Sequence, residues 1–137
     1  MNYSIEKLSN TSDCNALLAL ANKEQSDLEF RKLSQNRSRD SYLERSSQIT
    51  TDKTVIQGEV NALTTVIQTL PEGEVKDDAV SRKTKLEYRL FTLEEQNEHY
   101  GVLALLEKEM EISLIEKQLL EVNAFKTAVE ARLAELN

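Results

Sequence analysis

The chain has 137 residues, of which 30% are charged and 5% aromatic, with 3 Gly, 1 Pro and no Trp. So few turn residues cannot supply the many turns of a sandwich or barrel; they suit long helices joined by very few loops. The formal net charge of −7 disfavours nucleic-acid binding, which needs a basic face, and an anionic membrane surface would repel the protein.

The opening residues, MNYSIEKLSN, hold no apolar segment of the secretory type, and no run approaches the ~18 apolar residues of a membrane span. One cysteine, Cys14, cannot form an internal disulfide. These features read as a soluble cytoplasmic protein. Residues 4–8 suit a short helical turn that folds back. The cluster Asn10, Thr11, Ser12 and Asp13, just ahead of Leu17, Leu18 and Leu20, is an N-cap signal for the first long helix.

That helix carries a stripe of residues seven apart: Cys14, Ala21, Leu28, Gln35, Tyr42, Ile49, Ile56, Leu63 and Leu70. Only Gln35 is not apolar, which marks a coiled-coil seam. The companion row is apolar at Leu18, Val60 and Ile67 but polar between them, at Gln25, Lys32, Arg39, Ser46 and Lys53. Residues 44–54 are rich in Ser and Thr, which compete for backbone hydrogen bonds. A continuous or merely kinked helix is the preferred reading there. A break near 47–52 would give three helices instead.

Pro71 and Gly73, following Leu70, are the clearest break in the chain. The second arm, 75–136, spaces its seam by fours and threes: Leu86, Leu90, Leu93, Asn97, Tyr100, Ala104, and then Ile112, Ile115, Leu119, Val122, Lys126, Val129, Leu133, Leu136. Steps of four through Lys108 join the two series. Such a stutter unwinds a left-handed supercoil, and Gly101 weakens the helix there by about 1 kcal/mol. A straightened or bent segment is expected at 100–108.

The fold class is therefore all-α: one domain over 1–137, a long antiparallel helical hairpin of coiled-coil type. Its first arm covers about 12–70, its turn 71–74 and its second arm 75–136. Folding at 72–73 pairs residue i with about 145 − i. The size and pattern resemble those of small secreted helical hairpins, but without Trp the Trp-x-Gly turn of that family is absent. Prefoldin-like chaperones place β-hairpins between their arms, and 71–74 leaves no room for them.

No catalytic constellation is visible. His99 is the lone histidine, far along the hairpin from Cys14, so a thiol–imidazole pair is not formed. Glu94, Glu95, Glu98 and His99 lack the Glu-x-x-His spacing and the second histidine of carboxylate-bridged bundles, since Gln96 stands three before His99. A Glu95–His99 pair on a solvated face is expected instead. No Gly-rich phosphate loop exists, and no cofactor or metal is called for.

Two features point to partners. Val102, Leu103, Leu105, Leu106, Met110 and Leu114 exceed what one neighbouring helix can cover, so they form a candidate interface. Arg31, Lys32, Arg37, Arg39 and Arg45 form a basic patch in an acidic chain. It serves either as a docking site or, by preference, as internal pairing with Glu107, Glu109 and Glu111. The leading function is a non-enzymatic structural or interaction module that self-associates or binds another protein. A helical chaperone or secretion-system adaptor is the alternative, and a metal-dependent bundle enzyme a distant third. The fold-back places Cys14 near Leu133. Glu130→Cys or Leu133→Cys should therefore crosslink to Cys14 on oxidation; scanning 129–136 without obtaining any crosslink would exclude this register.

Overall fold

The computed structural model describes all residues 1–137, and 91% of them are helical with no strand. A 3₁₀ turn, Ile5–Lys7, precedes three helices: α1 (Thr11–Thr69), α2 (Glu74–Tyr100) and α3 (Val102–Leu136). α1 packs antiparallel against the second arm, which consists of α2 and α3. The chain forms two compact units. One comprises Met1–Ser38 with Glu107–Asn137, the other Arg39–Leu106.

α1 starts where the cap cluster predicts. The Asn10 Oδ1 accepts the Asp13 backbone N–H at 2.8 Å, satisfying one of the orphan donors of the first turn. The Ser/Thr-rich stretch does not break the helix. Thr50, Thr51 and Thr54 donate their hydroxyls to the carbonyls of Ser46, Ser47 and Thr50, four residues back. Hydroxyls engaged in this way are satisfied on the helix's own carbonyls, at a slight cost that does not break it. The three-helix alternative with a break at 47–52 is therefore not what forms; the extra break lies in the second arm.

In the unit Arg39–Leu106, the buried cluster is Ile49, Ile56, Val60 and Leu93, with Leu86, Leu90 and Tyr100 packed against it. These are the seam residues of both arms. Complete burial of a side chain such as Ile49 contributes about 1.5–3 kcal/mol. Arg45 donates to Gln96 Oε1 at 2.7 Å, and Arg82 pairs with Glu59 at 3.8 Å, fixing the two arms side by side. In the other unit the buried residues are Cys14, Ala21, Leu28, Ile112, Ile115 and Val129. Small Cys and Ala side chains supply little apolar area, so polar contacts share in aligning this pair. Lys108 donates to Gln35 at 3.3 Å and Lys126 to Gln25 at 2.8 Å. Partners in both units lie within two turns of the 145 − i expectation.

The turn is held by local chemistry. α1 ends at Thr69 and Pro71 follows, a position that prevents further helix. Gly73 has φ 152° and ψ −172°, a region that only glycine occupies readily. Its carbonyl accepts the Asp77 N–H at 3.0 Å to open α2. Lys76 bonds to Glu72 across the turn at 2.8 Å and holds that carboxyl below its usual range.

Gly101 interrupts the second arm at the near end of the expected stutter. Its backbone is extended, with φ −77° and ψ −173°, and its carbonyl accepts the Leu105 N–H to begin α3. A Cβ at this position would stand 2.4 Å from the Asn97 carbonyl oxygen. A side chain cannot enter without moving the backbone, so the break depends on glycine for space.

Gly73→Ala meets no atom within 4 Å, so its penalty is purely conformational, about 1–3 kcal/mol. Urea denaturation should show a lower midpoint with unchanged slope. An unaltered midpoint would mean that the turn tolerates a Cβ at this φ.

Candidate interaction surface

The proposed interface residues all fall on α3. Leu103 is 79% exposed, Val102 69% and Leu106 53%, and Met110 and Leu114 also face solvent. Leu105 is half-buried. Val102, Leu103, Leu105 and Leu106 belong to the Arg39–Leu106 unit, and Met110 and Leu114 to the other. Their exposure follows from helix geometry. The seam takes Ala104, Lys108, Ile112 and Ile115, and residues between those steps point elsewhere.

The basic residues do not act as one group. Lys32 pairs with Glu116 at 3.4 Å, Arg39 with its neighbour Asp40 at 3.0 Å, and Arg45 with Gln96 at 2.7 Å. Arg31 and Arg37 are exposed and make no ion pair. Glu107, Glu109 and Glu111, the partners expected from sequence, are likewise unpaired. A tilt of a few residues from the ideal pairing brings Glu116 to Lys32 instead.

His99 is exposed, and its partners are rings rather than Glu95. It meets Tyr100 edge-on at 4.7 Å, and Tyr42 lies 6.3 Å away. Tyr42 in turn meets Tyr100 at 5.1 Å. This small aromatic group sits beside the Gly101 break. Cys14 is fully buried and unpaired. No three His, Cys, Asp or Glu side chains converge as a metal site would require, and no helix is long and apolar enough to cross a membrane.

The N-terminal segment folds back, as its sequence suggests, onto a face of α3. Tyr3 packs edge-on against Phe125 at 5.0 Å, and its hydroxyl donates to the Glu121 carboxylate. Arg132 donates from Nε and a terminal nitrogen to the Leu8 carbonyl at 3.0 and 2.8 Å, while its other terminal nitrogen pairs with Glu135. The strap and the helices border an apolar cleft of about 280 Å³ lined by Leu20, Ala21, Val122 and Phe125, with Glu24 and Glu121 at its rim. The fold-back is legible in the sequence, but the parts of Tyr3 and Arg132 in it are not, because their partners lie more than a hundred residues away.

The chain matches no protein-family model, and no curated protein or solved structure is significantly similar to it.

The strap should be alkali-sensitive. The hydrogen bond to Glu121, with lesser help from burial and the carboxylate charge, raises the Tyr3 pKa above 10.0. The folded form therefore favours the neutral phenol. The stabilisation is complete below pH ~10 and is lost as pH rises through the higher folded value. Arg132→Ala removes charged hydrogen bonds worth about 1.5–3 kcal/mol each and should release the strap at neutral pH. Trypsin cleavage after Lys7 should accelerate severalfold in Arg132→Ala, and in the wild-type chain above pH 10 when probed with an alkali-tolerant protease. Equal cleavage rates in the two proteins at neutral pH would show that Arg132 does not hold the strap.

Proposed function

We propose that the chain is a non-enzymatic helical interaction module that associates with copies of itself. The observation that carries this reading is the exposed apolar face at Val102, Leu103 and Leu106. Apolar side chains of that size crowded on one helix mark an interface more often than a bare surface. The accessible surface points the same way. It is 9690 Å², against about 7,200 Å² for a compact monomer of this mass. Association would cover part of that excess and add core to a thin helix pair.

A chaperone or secretion-system adaptor would use the same face on a client instead of on a second copy. Light scattering separates the two readings. At micromolar concentration the chain should exceed its single-chain mass of 15.6 kDa. Leu103→Gln with Leu106→Gln should weaken association more than Leu86→Gln with Leu90→Gln, because Leu86 and Leu90 are covered within the hairpin. A mass of one chain at every concentration rejects self-association, and a pull-down that then recovers a discrete partner through Leu103 and Leu106 favours the adaptor.

A further inference from the structure

The unit made of Met1–Ser38 and Glu107–Asn137 exposes apolar side chains on both of its long helices. On α1, Phe30 is 72% exposed and Leu33 50%; on α3, Met110 is 58% and Leu114 54%. Phe30 and Met110 each stand two residues from a buried seam residue, Leu28 and Ile112. That offset is about 200° around a helix, so the two stripes occupy the outer edges of the pair, one on each side.

Each stripe is bracketed by charges. Asp27 and Arg37 flank Phe30 and Leu33, and Glu107 and Lys117 flank Met110 and Leu114. All four are exposed, and none makes an ion pair or side-chain hydrogen bond within the chain. Ten residues separate the charges on either helix, about 15 Å. Laid antiparallel, the two edges match position by position. Arg37 meets Glu107, Leu33 meets Met110, Phe30 meets Leu114, and Asp27 meets Lys117. The offset is the one that aligns α1 with the second arm inside a single chain.

We infer that the α1 edge around Phe30 and Leu33 docks on the α3 edge around Met110 and Leu114 of a second copy, with Arg37–Glu107 and Asp27–Lys117 fixing its direction and register. This deepens the self-association reading and rests on it. Such a contact joins two different patches, so each bound copy retains one unused edge of the opposite kind. It closes only as a ring or continues as a string. A parallel placement of the same edges would set Asp27 against Glu107 and Arg37 against Lys117, and like charges oppose it.

Two charge-swapped chains test this in the full-length protein. One carries Asp27→Lys and Arg37→Glu; the other carries Glu107→Lys and Lys117→Glu. Each alone presents like charges to its own kind, whereas an equimolar mixture restores both pairs at every contact between unlike chains. Light scattering at low salt should show the wild-type mass rising with concentration. Each swapped chain should need at least about tenfold more protein to reach the same mass, a shift of about 1.4 kcal/mol. The mixture should return to wild-type behaviour. All four positions are exposed, and circular dichroism should show undiminished helix. Unchanged association of the single variants, a mixture that stays at the single-chain mass, or a wild-type protein that never associates would each overturn the inference. Association abolished by Leu103→Gln with Leu106→Gln yet indifferent to the swaps would overturn it while leaving the interaction reading in place.

Discussion

The structure depends on the meeting of polar residues along a seam whose buried members are apolar. The first arm has one polar member in its seven-residue stripe, Gln35, and the second arm interrupts its own series with Asn97, Lys108 and Lys126. Gln35 receives a hydrogen bond from Lys108, and Gln25, on the companion row, receives one from Lys126. Apolar side chains are nearly indifferent to a slip of one heptad; a polar pair is not, because sliding leaves each half-buried group without its partner. No buried side-chain polar atom lacks a hydrogen-bond partner. Apolar burial therefore holds the arms together, and the Gln–Lys contacts help to choose where they stop.

The interruptions answer to that alignment. Gly73 permits a reversal within four residues, and Gly101 lets the second arm change course where its spacing shifts from alternating fours and threes to successive fours. A straight α-helix cannot keep one face on a partner through an added step of four without local unwinding. Here the adjustment is concentrated at a residue whose missing Cβ leaves room for the Asn97 carbonyl. At the start of the chain, Arg132 satisfies the Leu8 carbonyl and ties the strap to α3 just before the cap of α1.

Much of this was legible in the sequence because its signals are periodic or local. Seven-residue spacing named the α1 seam, and every one of those nine residues is buried or half-buried. Asn10 and Gly73 announced the cap and the turn by residue type alone. The competition between Ser/Thr hydroxyls and the backbone was legible too, but not its outcome, since the same hydroxyls can bond the helix's own carbonyls at a cost small enough for tertiary packing to outweigh. The side-chain partners of His99 and Lys32 were not legible. They depend on offsets of a few residues between helices, smaller than a pairing rule can resolve. The apolar excess at 102–114, and that of Leu17, Leu18, Leu20 and Phe30 on the first arm, is plain in the sequence, whereas Leu33 joins Phe30 as an outward stripe only through the burial pattern of α1.

The hairpin's connectivity also favours one order of assembly. Glu59 and Arg82 are brought together by closing a short loop through Gly73, while Gln25 and Lys126 are 101 residues apart in sequence. Chain-closure entropy rises with loop length, but once the arms nearest the turn have joined, each further contact closes only a small increment. Closure from the turn toward Cys14 is therefore the route on which each step costs the least chain entropy. In such a process, changes near Gly73 act mainly on the rate of folding, and changes near Cys14 and Val129 mainly on the rate of unfolding. The buried thiol of Cys14 becomes a natural clock for that last step, because a labelling reagent reaches it only when the α1–α3 end of the hairpin has come apart.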